Sequence, residues 1–89
     1  MAWRINYLRS VRKSVSRLHP QDRRRIQAFL EQRVAMLDDP RTLAKPLQGK
    51  YGELWRYRVG PYRIICEIRD SELIVLVLRV GHRREVYRG

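Results

Sequence analysis

Residues 54–80 read LWRYRVGPYRIICEIRDSELIVLVLRV, and the period of this stretch decides the fold. In LWRYRV (54–59), Trp55, Tyr57 and Val59 share one side of an extended chain, and Arg56 and Arg58 share the other. In YRIICEIR (62–69), Tyr62, Ile64, Cys66 and Ile68 alternate with Arg63, Ile65, Glu67 and Arg69. Gly60-Pro61 and Asp70-Ser71 separate the segments by the short turns of antiparallel hairpins. ELIVLVLRV (72–80) is apolar on both sides, the pattern of a central strand. Packing the alternating apolar sets under a cover leaves Arg56, Arg58 and Arg63 on the opposite, open face.

The cover comes from upstream. Trp3–Tyr7 alternates enough for a short first strand. Leu8, Val11, Val15 and Leu18 then recur at spacings of three and four, one stripe of a short helix. His19-Pro20 breaks the pattern, and Pro20 suits the first turn of a second helix over about 20–38. That helix carries Ile26, Phe29, Leu30, Val34 and Leu37 inward, with Arg23, Arg24, Gln27 and Glu31 on its wet side. Asp38-Asp39-Pro40 ends it, and residues 39–53 read as a turn-rich connection. The expected fold class is α+β, in the order β-α-α-β-β-β. A helical hairpin packs on one face of a mainly antiparallel, twisted sheet.

Composition bounds the function. The chain has 89 residues, 44% hydrophobic and 33% charged, which predicts one globular domain spanning 1–89. No apolar run reaches the roughly 18 residues of a membrane span, and the N-terminus lacks a signal-peptide pattern. A cytoplasmic protein is expected. One cysteine, Cys66, excludes an internal disulfide and reads as a small buried hydrophobe. Twenty basic residues against nine acidic ones give a net charge of +11, and seventeen of the twenty are Arg. Guanidinium groups grip phosphate with paired hydrogen bonds, so nucleic acid is the expected partner class.

The chain continues from the central strand into VGHRREVYR (80–88). His82, Arg83 and Tyr87 are expected to reach the face that carries Arg56, Arg58 and Arg63. Each alone has a bland reading: His82 as a loop histidine, Arg83, Arg84 and Arg88 as a solvated tail, Tyr87 as the close of the core. His19 is read as a surface residue, and Arg23-Arg24-Arg25 as the wet side of the second helix. Glu53 and Glu85, the carboxylates nearest in sequence, are read as partners of neighbouring arginines. No clustered His, Cys or carboxylate spacing points to a metal, and no cofactor is expected.

The element order, the segment GPYRIICEIRD (60–70) and above all VGHRREVYR resemble the RelE toxins of bacterial toxin–antitoxin pairs, in the wider RelE/ParE superfamily. The resemblance implies the RelE/ParE-like microbial RNase fold. It also implies a ribosome-dependent mRNA endonuclease, an enzyme that cuts the codon in the decoding site of the small subunit until an antitoxin binds it. By that resemblance Arg63 contacts phosphate, Arg83 stabilises the leaving group, and Tyr87 stacks on or orients the cut nucleotide. His82 stands where other members carry lysine or histidine. Arg56 and Arg58 stand where one branch carries two lysines, one of them credited as general base.

An arginine is a poor base because its pKa lies above about 12. Arg56 and Arg58 are therefore assigned to substrate binding and charge stabilisation. Proton transfer falls to His82 or Tyr87, an imidazole in general titrating near pH ~6.5. The catalytic set is Arg63, His82, Arg83 and Tyr87. Two alternatives stay open: a ParE-type toxin that poisons gyrase and cuts no RNA, and a basic RNA-binding module without activity. An antitoxin with an acidic toxin-binding segment is the expected protein partner.

Overall fold

The computed structural model describes residues 2–47 and 53–82. Five strands form one sheet: β1 (Arg4–Tyr7), β2 (Lys45–Pro46), β3 (Leu54–Val59), β4 (Tyr62–Arg69) and β5 (Ile74–His82). Their spatial order is β1-β5-β4-β3-β2. β1 runs parallel to β5, and every other pairing is antiparallel. Two helices, α1 (Arg9–Ser16) and α2 (Pro20–Ala28), cover one face. This is the expected α+β class, with β5 interior to the sheet.

Local chemistry accounts for the helix ends. Pro20 opens α2 where its missing N–H costs nothing, and the His19 imidazole accepts a hydrogen bond from the Gln21 N–H at 3.3 Å. His19 is thus an N-cap rather than an idle surface residue. Asp22 adds a negative charge to the first turn, where the helix dipole favours one. Ile26, Leu30 and Val34 are fully buried at a spacing of four, the stripe that the sequence predicts. The second helix does not run unbroken to residue 38, however. It widens into a π turn over Phe29–Arg33 and tightens into a 3-10 turn over Val34–Met36.

Two further differences lie in the connections. The stretch 39–53 has the residues of a turn-rich connection, yet Lys45 and Pro46 pair with Arg56 and Trp55 as β2. The third long strand starts two residues later than its apolar pattern, because Asp70–Glu72 forms a 3-10 turn and Leu73 takes a left-handed conformation with φ 53°.

The core lies between helices and sheet. Val11 and Val15 of α1 and Ile26 of α2 meet Tyr57, Val59, Ile64, Cys66, Ile68, Val75 and Val77. Each large aliphatic side chain buried there contributes about 2 kcal/mol. Tyr57 is fully buried, its hydroxyl donating to the Pro40 carbonyl at 2.7 Å and its ring meeting Phe29 edge-on at 5.9 Å. Burial pushes its phenol pKa well above the ordinary range. Cys66 is a free, buried thiol, raised in pKa by the same desolvation. No helix among the described residues is long and apolar enough to cross a membrane.

Candidate active site

The register of the sheet sorts the predicted site residues. Arg58 on β3 pairs directly with Arg63 on β4, and Arg63 pairs in turn with Gly81 on β5. In the next row Arg56 pairs with Ile65, and Ile65 with Arg79. Directly paired residues project from the same face with Cβ atoms about 5 Å apart. Four guanidinium-bearing residues therefore rise from two adjacent rows on the face away from the helices. Lys45, paired with Arg56, extends the basic row to β2.

Burial supports this division. Arg63 and Ile65 are 2% and 8% exposed, yet Ile65 lies outside the cluster that packs beneath the helices. Arg58 and Arg79 are exposed, and Arg56 is half-buried. The expectation of an open basic face needs correcting at its centre, because Arg63 is a buried guanidinium, its Nε out of reach of solvent. A guanidinium buried to this degree is held by its surroundings rather than trailing in water. β5 runs two residues past the apolar pattern of 72–80, through Gly81 to His82. Gly81 lies inside β5 opposite Arg63 and puts no side chain beside that guanidinium.

His82 behaves differently from its expectation. It pairs with Tyr62, and the two rings meet edge to face with centroids 5.8 Å apart at 78°. Tyr62 shares its face with Ile64 and Cys66, so His82 lies on the helix side of the sheet rim, beside the arginine row rather than within it. The cause is a β-bulge. Ile65 pairs with Arg79 but Cys66 with Val77, which leaves Leu78 as the extra residue of β5. One inserted residue inverts the alternation of everything beyond it. Val75 and Val77 face the helices, and after the bulge Val80 and His82 do so, while Arg79 and Gly81 turn to the arginine face. Arg79 is the site candidate that the sequence reading missed.

The hydroxyl of Tyr62 donates to Asp22 Oδ2 of α2 at 2.9 Å. One helical turn on, Arg25 reaches the β3–β4 turn, where its Nη1 lies 2.8 Å from the point a Cβ would occupy on Gly60. Gly60 has φ +56°, a conformation glycine adopts without strain. Trp55 stacks under Arg41 at 5.6 Å, and Arg41 itself forks onto Asp70 with contacts of 3.0 and 2.6 Å and touches Asp39 at 3.2 Å. Arg41 is thereby committed to the far end of the sheet.

Arg83 and Tyr87 lie outside the described residues. Among the described residues no three His, Cys, Asp or Glu side chains gather closely enough to hold a metal ion.

Comparison with known proteins adds the family. Residues 5–87 match the family model of the ParE toxin of the type II toxin–antitoxin system parDE. The chain is 29% identical to Toxin RelG of Mycobacterium tuberculosis over 89 residues, covering 99% of each. Its fold superimposes on the toxin–antitoxin complex RelBE2 of the same organism with a TM-score of 0.84, 24% identity and 93% of each chain covered. The archaeal RelE–RelB complex of Pyrococcus horikoshii OT3 gives a TM-score of 0.75 at 25% identity, over 93% of this chain and 97% of that one. A two-helix cover on a five-stranded sheet, a basic row at one sheet end, and a family match over nearly the whole chain lead to one statement: the chain belongs to the ParE toxin family of type II toxin–antitoxin systems, within the RelE/ParE superfamily.

Proposed function

We propose that this toxin is a ribosome-dependent mRNA endonuclease that halts translation by cutting the codon in the small-subunit decoding site. The observation that carries the reading is the direct opposition of Arg58 and Arg63, one residue along the strands from His82. Two like charges side by side on neighbouring strands destabilise a sheet, so a site that keeps them is built to receive an anion. The relatives named RelG and RelE support the same direction.

The chemistry needs no metal. The 2′-hydroxyl of the substrate attacks the adjacent phosphorus, the 2′-O–P bond forms, and the P–O5′ bond breaks. The products are a 2′,3′-cyclic phosphate and a 5′-hydroxyl. Arg63, set by burial, and Arg58, exposed at the surface, neutralise the charge that builds on the phosphoryl oxygens. Arg56 and Arg79 hold flanking phosphates. The scissile linkage lies across the rim of the β4–β5 pair, with the arginines on one side and His82 on the other. His82 takes the proton of the 2′-hydroxyl, the departing 5′-oxygen takes one from solvent while Arg83 steadies its charge, and Tyr87 stacks on the base. The toxin acts in the cytoplasm as a single domain. A cognate antitoxin with an acidic segment silences it, a partnership supported by the net charge of +11 and by relatives seen as RelE–RelB complexes.

Purified ribosomes programmed with a defined message test the proposal. Cleavage within the decoding-site codon, leaving a cyclic phosphate, is expected. A second reading, poisoning of DNA gyrase, is favoured by the ParE description of the matching family. Intact message together with gyrase-linked DNA breaks establishes that reading and removes the first.

A further inference from the structure

We propose that Tyr62, anchored by Asp22 of α2, is a positioning residue for His82, so that the helix layer sets the geometry of the proton-transfer group. The proposal deepens the endonuclease reading and rests on it only for what His82 does to substrate. Its own ground is geometric. His82 is an exposed residue of β5. The ring beside it is tied to the helix layer. Tyr62 packs against the core, donates to Asp22 at 2.9 Å, and meets the imidazole edge to face at 5.8 Å.

Asp22 is held in turn. It occupies the first turn of α2, whose start is set by Pro20 and capped by His19, and whose next turn sends Arg25 onto Gly60. The Tyr62–Asp22 hydrogen bond therefore ties α2 to the first residue of β4, and one helical turn on Arg25 lies over Gly60 of the β3–β4 turn. A chain of fixed groups runs from the helix N-terminus through Asp22 and Tyr62 to His82. Arg58 and Arg63 reach the substrate from the other face, so this chain restrains the imidazole independently of them. The bulge at Leu78 makes the arrangement possible, since uninterrupted alternation would turn His82 away from Tyr62.

The test separates the hydroxyl from the ring. Tyr62→Phe keeps the edge-to-face contact and removes the anchor. Asp22→Asn keeps an acceptor, and Asp22→Ala removes it while leaving Tyr62 in place. In single-turnover cleavage on programmed ribosomes, Tyr62→Phe and Asp22→Ala are expected to slow the maximal rate about tenfold and to leave the half-saturating ribosome concentration unchanged. Asp22→Asn restores most of the rate. In a His82→Ala background, Tyr62→Phe has no further effect, the non-additivity of residues acting through one group. A full additional loss in that background overturns the proposal, as does a folded Tyr62→Phe protein with an unchanged rate.

A second readout does not depend on cleavage. The ring-proton resonances of His82 are expected to shift in Tyr62→Phe and in Asp22→Ala, and to recover in Asp22→Asn. If the parent protein cuts no RNA, the endonuclease reading fails by itself, and resonances insensitive to Asp22→Ala overturn the positioning role separately.

Discussion

Arg58 and Arg63 sit directly opposite one another on β3 and β4, one at the surface and one buried. Two like charges so paired cost the sheet about 0.5 kcal/mol. Replacing the exposed member relieves that cost. Arg58→Gln is expected to raise the melting temperature by about 2–4 °C while slowing message cleavage. Calorimetry and a ribosome assay on the same preparation check the opposed signs.

Arg63 gives the opposite pattern. Its guanidinium is preorganised by burial, and removal of such a preorganised donor costs about 10²–10³ in rate. Arg63→Lys should recover little of it, because an ammonium cannot reproduce the planar fork. Single-turnover rates of Arg63→Lys and Arg63→Gln, each checked for folding by circular dichroism, measure this. Recovery by lysine to within about threefold would mean that charge alone suffices at this position.

Deleting Leu78 removes the extra residue of the bulge and leaves the pairing on either side in register, so that Arg79 follows Val77 directly and still faces Ile65. Val80 and His82 keep the helix face, and Arg79 and Gly81 the arginine face. The deletion is therefore expected to be tolerated, at a cost of about 1–2 kcal/mol for the lost Leu78 side chain and the altered local twist. Urea unfolding of the deletion against the parent decides it.

Acid sensitivity should trace to the far end of the sheet. The hydrogen bonds from Arg41 hold the Asp70 carboxyl below its ordinary range. A lowered folded-state pKa stabilises above the unfolded value, near pH ~4, and that contribution vanishes as pH falls through the lower folded value. Asp70→Asn should therefore flatten the acid limb of the stability curve and leave its neutral-to-alkaline slope unchanged. Thermal unfolding from pH 2 to pH 7 reads this out.

Much of the molecule is legible in its residues, and the exceptions have physical reasons. The β3–β4 and β4–β5 hairpins follow from period-two segments separated by Gly60-Pro61 and Asp70-Ser71. Ile26, Leu30 and Val34 mark the buried stripe, but the same spacing suits α and π turns alike, so the widening at Phe29–Arg33 is silent. The bulge leaves one trace, Arg79, which strict alternation would put on the face of Val75 and Val77, but in a run such as IVLVLRV both faces are otherwise apolar and a single arginine near the strand end does not settle the register. That single gap hid Arg79 and put His82 on the wrong side of the sheet. Arg63 read as exposed because arginine in a strand usually is, and β2 is too short to leave a pattern. The readings of Arg83 and Tyr87 concern residues outside those described.

β1 pairs in parallel with β5, so Arg4 meets Ile74 across nearly the whole described chain. The two hairpins and the helices close through nearby residues, whereas this last pairing must bring distant segments together before anything rewards it. Among the described pairings this one carries the largest loop-closure cost and is expected to form late. Until it occurs, the apolar Ile74–Val77 segment keeps an unpaired strand edge exposed to other chains. The first strand is thus the expected last piece of the sheet, and the interval before it docks is the one in which such a chain is most open to association.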